Sequence, residues 1–412
     1  MRRTFLLLAS VAIAALSASG IALALPSEDP DDTPMVDGRV RAFAKVGTNV
    51  WVGGSFSRVQ RRDGTVLGSV ANVAVFDSAT GRYLDIAPKL GGEGSTVYDM
   101  ARYGANVIIA GDFPGPGAQK KNLVVVDGAT GEVLRWYDSA PLWSALAKPG
   151  LERIYGGGRS LSAFDSSTGR KLWSRAKTSA DPGLRPNANK PGYRDLERDG
   201  PIIWAACVCD SVDGNAAKAL VKLDTKGGHD PSWVAKAGPE AFGISVTGHE
   251  GSVYLGAGGS DFLASYPEDG GGRRAWGRDT SGSVQAVEKM GRRLVVGGHF
   301  WEVADGAGDA CGHRSEDNAE TLDPSNPGSP HYPNPDPDRP DDQCATRHGL
   351  AAYSFGGELD PGWAPMLGGR YNLAWALRPE AATGRLHVGG EFLTVDGIRQ
   401  EHYAVLPPVP LP

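Results

Sequence analysis

The residues of this 412-residue chain best placed to do chemistry are two aspartates that interrupt a row of small side chains. Seven strand-like segments align on Ala42, Asp99, Ser144, Asp195, Gly243, Ala286 and Ala374. Small residues suit positions where backbones crowd together, and Asp99 and Asp195 break that rule. Ser144 stands between them in the row, and Arg41 and Arg194 precede the aligned residue on two of the strands. Together these five side chains form a candidate axial ligand site, polar or metal-binding. The competing reading is structural: a buried carboxylate must find donors, so each Asp would accept backbone amides from the neighbouring unit.

Other chemistry is sparse. The eight histidines show neither H-E-x-x-H nor paired zinc spacing, and there is no G-x-S-x-G elbow and no phosphate loop, so no catalytic residue is assigned. His299 and His387 lie in or beside glycine-rich strands and read as hydrogen-bonded structural residues. Asp305, Asp309, Asp317, Asp323, Asp336, Asp338, Asp341 and Asp342 offer hard oxygens that suit calcium. Ala307 and Ala310 stand where an EF-hand needs a ligand and its turn glycine, so this tract reads as a solvated acidic loop.

The elements that carry these residues repeat. A strand-like run ends in two small residues and often Phe, as in Val50-Trp51-Val52-Gly53-Gly54-Ser55-Phe56 and Leu294-Val295-Val296-Gly297-Gly298-His299-Phe300. The second small residue falls at positions 54, 111, 157, 207, 257, 298 and 390, a spacing of 41 to 57 residues with one stretched final gap of 92. Sheets repeated at this period need neighbours to cover their faces, which predicts an all-β, seven-bladed β-propeller of four-stranded antiparallel blades. Pro34-Met35-Val36-Asp37-Gly38-Arg39 echoes Pro365-Met366-Leu367-Gly368-Gly369-Arg370, and the last copy lacks its outer strand. Residues near 28–36 are therefore expected to close the ring as that strand. Asp77-Ser78-Ala79-Thr80-Gly81, Asp127-Gly128-Ala129-Thr130-Gly131 and Asp165-Ser166-Ser167-Thr168-Gly169 read as hairpin turns.

These G-G-x-F ends and D-x-x-T-G turns resemble the secreted bacterial delta-60-type β-propeller repeats. Asp165 through Trp173, reading D-x-x-T-G-x-x-x-W, resembles the tryptophan-docking repeat of PQQ-dependent dehydrogenases. The resemblance implies interblade packing for Trp136, Trp173, Trp233, Trp276 and Trp363. It also raises PQQ or calcium as cofactors, but the adjacent-cysteine pair of many such enzymes is missing. Cys207-Val208-Cys209 is the nearest analogue, and it occupies the G-G-x-F position of the fourth repeat.

Arg2 and Arg3, the apolar run from Phe5 and the small residues Ala22 and Ala24 read as a signal peptide over 1–24, of the Sec or the twin-arginine type. Residues 25–406 form one domain, with an Asp/Pro-rich insertion at 302–348 in the sixth unit and a Pro-rich tail at 407–412. In an exported chain, four cysteines favour pairing: Cys311 with Cys344 across the insertion, and Cys207 with Cys209 either joined or reduced and buried. With 57 Gly and 41% hydrophobic residues the chain folds and turns often, and a formal net charge of -6 gives no footprint for nucleic acid. The expected function is a secreted or cell-surface, non-catalytic scaffold, monomeric and without a membrane span after cleavage, that binds a protein or glycan. The alternative is a PQQ- or metal-dependent oxidoreductase using the axial cavity.

Overall fold

The computed structural model describes residues 25–118, 121–147, 153–180, 190–306, 311, 344–369 and 374–409. The expected signal segment and all of the insertion's aspartates except Asp305 lie outside the described residues.

Runs such as Val50-Trp51-Val52 and Val73-Ala74-Val75-Phe76 are apolar at consecutive positions and buried throughout, the pattern of a strand covered on both faces. Among the described residues such runs build seven principal sheets. Sheet one joins Arg39–Val46, Asn49–Ser55, Val73–Asp77 and Tyr83–Leu84, all antiparallel. Sheets two (Thr96–Tyr103 to Val133–Tyr137), three (Ser144–Ala147 to Lys171–Arg175) and five (Phe242–His249 to Trp276–Asp279) repeat this four-stranded order. Sheets four (Gly192–Asp199, Ile202–Val208, Leu220–Asp224), six (Val284–Met290, Arg293–Gly298, Leu350–Ser354) and seven (Ala374–Glu380, Arg385–Gly390, Tyr403–Leu406) have three regular strands.

The missing outer strands have a chemical cause. In sheets four and six the chain runs Asp230-Pro231-Ser232-Trp233 and Asp360-Pro361-Gly362-Trp363 at that position. Each Asp donates its N–H into the ladder, Asp230 to Lys222 O at 3.0 Å and Asp360 to Ala352 O at 2.8 Å. The following proline has no N–H and ends the pairing. Each Asp carboxylate then accepts the amide two residues on, at 3.1 Å, and the Trp turns inward. Trp233 lies 4.8 Å from the Trp204 ring and 6.0 Å from Tyr266 of sheet five, the interblade position expected of it.

In sheet seven the outer position is filled from the other end of the chain. Ser27 N donates to Pro407 O at 2.7 Å and Asp31 N to Val405 O at 2.9 Å. Met35–Val36 does not continue this line, because it pairs with Arg58–Gln60, the near arm of a hairpin that forms a separate small sheet between the second and third strands of sheet one. Leu367–Gly368 makes the same pairing with Thr394–Val395, in the corresponding small sheet beside sheet seven. The sequence echo between the two segments therefore marks this hairpin contact, and residues 26–31, upstream of it, lie along sheet seven.

Seven apolar clusters fill successive sheet interfaces, from Val75 against Val107 between sheets one and two to Val40 and Phe43 against Ala376 and Tyr403 between sheets one and seven. The paired small residues make that approach possible. A Cβ on Gly389 would lie 2.3 Å from Val40 Cγ1 of sheet one.

The hairpin turns follow one scheme: Asp127 Oδ1 accepts the amides of Ala129 (2.9 Å) and Thr130 (2.8 Å), and Gly131 closes the turn at φ 75°. A Cβ at Gly131 would also strike Ile86 O of the preceding sheet at 1.6 Å, whereas one at Gly81 meets only Thr33 Oγ1 at 3.3 Å. Gly131→Ala is expected to cost about 2 kcal/mol and Gly81→Ala about 1 kcal/mol. Chemical denaturation of both variants checks the order, and equal losses would remove the steric part of the argument.

Cys311 pairs with Cys344, as expected, and Cys207 is joined to Cys209, one of the two states expected for that pair. Cys344–Thr346 pairs with Glu302–Ala304, so the insertion leaves sheet six on a two-stranded stem.

Candidate functional site

The first strands of consecutive sheets lie against one another, and that of sheet seven lies against that of sheet one. Six of them carry a bulge at the same place. The register slips between Val40 and Ala42, Val97 and Asp99, Tyr193 and Asp195, Gly243 and Ser245, Val284 and Ala286, and Ala374 and Ala376. A bulge leaves one residue out of the ladder and re-aims its side chain. Those residues are Arg41, Tyr98, Arg194, Ile244, Gln285 and Trp375.

The bulges also correct the alignment of the sequence row. Ala42 faces Gly53 of its partner strand, and the equivalents are Ala145 facing Gly156, Ser245 facing Gly256 and Ala376 facing Gly389. Ser144, Gly243 and Ala374 are therefore out of step with Asp99 and Asp195. Sequence spacing hid this because strand-to-strand distances differ among the units. Ser144 is fully buried, and its hydroxyl hydrogen-bonds to neither aspartate.

Asp99 and Asp195 tie neighbouring sheets together. Asp99 Oδ1 accepts its own strand's Met100 N and Oδ2 accepts Ala145 N of sheet three, both at 2.7 Å. Asp195 Oδ1 accepts Leu196 N, and Oδ2 accepts Val246 N at 2.8 Å and the Ser245 hydroxyl at 3.1 Å, both in sheet five. Ser245 Oγ in turn accepts Val287 N of sheet six at 3.2 Å. Burial, with the charge of Asp195 nearby, raises the Asp99 carboxyl well above its ordinary range. Burial also raises Asp195 against its hydrogen bonds, and pushes Glu288 up to about 8 although Arg378 opposes it.

Asp99 and Asp195 do not fit the calcium that the sequence resemblance raised. All four oxygens of Asp99 and Asp195 are engaged by backbone amides, and among the described residues no three His, Cys, Asp or Glu side chains gather as a metal-holding group. Cys207 and Cys209 lie in the apolar cluster between sheets three and four, packed with Tyr193 and Val212.

The arginines belong to a different layer. Arg41 stacks over the Trp375 ring at 4.4 Å and lies 5.6 Å from Tyr98, bringing together sheets seven, one and two. Arg194 stacks over Trp143 at 4.5 Å. His299 meets Trp375 edge-on at 5.1 Å, and Arg39 lies over the same indole at 5.3 Å while pairing with Glu391. Burial lowers Arg41 to about 10, with Arg39 and Arg194 adding repulsion, and burial alone does the same to Arg194. Burial and the charges of Arg39 and Arg41 hold His299 near 4, so it is neutral at physiological pH. Sequence reasoning found the two arginines but missed Tyr98, Trp143, Trp375 and the place of His299. The signal was available: three of the bulged residues directly follow a valine, in Val40-Arg41, Val97-Tyr98 and Val284-Gln285.

A cleft of about 740 Å³ lies elsewhere, between residues 25–29, Arg292, Trp363 and Asp396. It is an open groove along the chain's N-terminal segment, without the ring of bulged residues that distinguishes the collar.

No family model and no curated protein matches the sequence. In three dimensions the chain is similar to the WD40 repeats of RRP9, with a TM-score of 0.58 at 10% identity over 94% of this chain and 100% of that one. It is similar also to U3-55K, with a TM-score of 0.57 at 10% identity over 92% and 99%. BamB from Moraxella catarrhalis aligns with a TM-score of 0.46 at 11% identity over 90% and 99%. WD40 repeats form propeller blades of four-stranded sheets, and at such low identity the likeness speaks to fold alone. The chain is an all-β protein of antiparallel sheets with a β-propeller-like fold.

Proposed function

We propose that the chain is a secreted, non-catalytic β-propeller scaffold, seven-bladed and of the delta-60 or PQQ-like repeat type, that binds a protein or glycan partner at or outside the cell surface. Seven blades are supported by the seven sheets and the apolar cluster between the last and the first. Ring closure by the N-terminal segment is supported by the hydrogen bonds from Ser27 and Asp31 to the last strand. Two disulfides and the apolar N-terminal run suit an oxidising compartment outside the cytoplasm. The observation that carries the binding role is the collar, where equivalent bulges on several sheets set guanidinium groups over aromatic rings in one layer. Such groups hold a ligand.

The test is capture of surface material from the native culture by wild-type protein and by an Arg41→Met/Arg194→Met variant. Wild type is expected to retain a partner that the variant loses, and protease treatment of the captured fraction tells protein from glycan. Equal capture by both would move the binding surface away from the collar.

A further inference from the structure

The collar carries more positive charge than its surroundings balance, and that imbalance specifies a ligand. Arg39 has Glu391 as its partner. Arg41 feels the charge of Glu391 but forms no ion pair with it, and its Nε is buried without an acceptor among the described residues. Arg194 gives one N–H to Lys190 O at 3.0 Å. The nearest acidic residues along the strands are Asp99 and Asp195, whose oxygens are engaged by amides and whose burial favours the neutral form. Arg41 and Arg194, set in the same layer by equivalent bulges, thus have no ion-paired carboxylate of their own among the described residues.

The stacking geometry sets how these groups can bind. A guanidinium lying over an indole presents its flat face to the ring and leaves its N–H edge free for in-plane donation. Trp375 Nε1 and His299 Nε2 are also buried without a partner at the same place. A sugar ring would need an open indole face, and a guanidinium already covers a face of both Trp143 and Trp375.

We propose that the collar binds an oxyanion, the carboxylate, phosphate or sulfate group of a small ligand, held edge-on by Arg41 and Arg194 within walls formed by Tyr98, Trp143 and Trp375. This rests on the collar being the binding site and adds the charge and shape of what enters it. The ligand replaces the missing counter-ion and accepts the free N–H groups. Because the two arginines come from sheets one and four, the ligand also holds those sheets in fixed relation.

The experiment is calorimetric and tryptophan-fluorescence titration of the full mature chain with inorganic phosphate, sulfate and glucuronate. At least one is expected to bind saturably and to weaken as NaCl is added. Arg41→Met and Arg194→Met should each weaken it about tenfold or more, the loss of charge-assisted hydrogen bonds, and exposed Arg102→Met should leave it unchanged. Arg41→Lys keeps the charge without the planar fork and should fall between wild type and Arg41→Met, a readout that survives if the methionine variants fold poorly. Tighter glucuronate than phosphate or sulfate identifies a carboxylate ligand, and the reverse order a phosphate or sulfate. The proposal fails if none of the three binds wild type, or if the arginine variants bind as wild type does. Partner capture that depends on the collar while all three oxyanions are ignored would overturn the oxyanion alone. Oxyanion binding with capture unchanged in the variants would overturn the partner site and leave the oxyanion.

Discussion

A chain that begins at Asp32 is expected to melt about 5 °C below one that begins at Leu25, and to associate in solution. The deletion removes four hydrogen bonds that join the two ends: Ser27 N to Pro407 O, Asp31 N to Val405 O, Trp363 Nε1 to Pro26 O at 3.0 Å, and Ala364 N to Glu28 Oε1 at 2.7 Å. At a net value near 1 kcal/mol each, the loss is about 4 kcal/mol. For a domain this size the entropy of unfolding converts that to a fall of about 5 °C. The second effect is topological. Without residues 26–31, Tyr403–Leu406 becomes an unpaired edge strand, and such edges recruit other chains. Scanning calorimetry reads the first effect and size-exclusion chromatography the second. Trimming the other end beyond Val409 is the control, since no bond of this set lies there. An unchanged midpoint in a folded, monomeric truncated chain would show that the N-terminal segment does not close the ring.

How far the sequence disclosed this arrangement depends on which interaction set each residue. Paired glycines are dictated by backbone distance, as at Gly389 against Val40, so they recur at fixed places and mark the repeats directly. Hairpin aspartates such as Asp165 act on amides two and three residues away, and such local chemistry is visible in a single line of sequence. The Asp-Pro-x-Trp corners at Asp230 and Asp360 were equally local, but they replace a regular strand and so escaped a search for apolar runs. The collar was the least legible part. Its members are unlike one another, Arg41, Tyr98, Arg194, Ile244, Gln285 and Trp375, because a bulge fixes where a side chain points and leaves its identity free. Only the register showed that they form one layer, and that Ser144 belongs to the packing between sheets. Asp99 and Asp195 illustrate the opposite case: chemistry suggested a site, and the geometry gives each oxygen to the backbone of a neighbouring sheet.

Replacing Glu380 by Ala is expected to cost about 3–5 kcal/mol, the usual loss when one partner of a buried charged network is removed. Its side chain is 1% exposed. Oε2 receives Lys45 Nζ of sheet one at 2.7 Å and Thr383 Oγ1 at 2.9 Å, and Oε1 receives His387 Nε2 at 2.9 Å. His387 Nδ1 then accepts the Tyr403 hydroxyl at 2.9 Å, an arrangement satisfied by a neutral imidazole. Removing the carboxylate strands a lysine and a histidine at the interface between sheets seven and one. A Glu380→Leu/Lys45→Met pair should recover part of the loss, because apolar groups of similar size need no partner there. The pH dependence has a definite sign. Burial by itself would raise Glu380, but its bonds to His387 and Lys45 prevail and bring it from 4.5 to about 2. Its stabilisation is therefore complete above the ordinary glutamate range and is lost as pH falls from about 4.5 toward 2. Burial lowers His387 below 6.5, so the unfolded chain takes up a proton that the folded chain refuses, and stability also falls on acidification below 6.5. Asp99 and Glu288, with raised values, act in the opposite sense and lose stability as pH rises. Glu380→Gln isolates the first contribution, since it keeps the shape and removes the titration. The gap in thermal midpoint between wild type and Glu380→Gln should be widest near pH 7, narrow below about pH 4.5 and close toward pH 2. A gap that stays constant across that range would mean that Glu380 is held by packing alone and that its bond to Lys45 contributes no charge-dependent stability to the junction between the last sheet and the first.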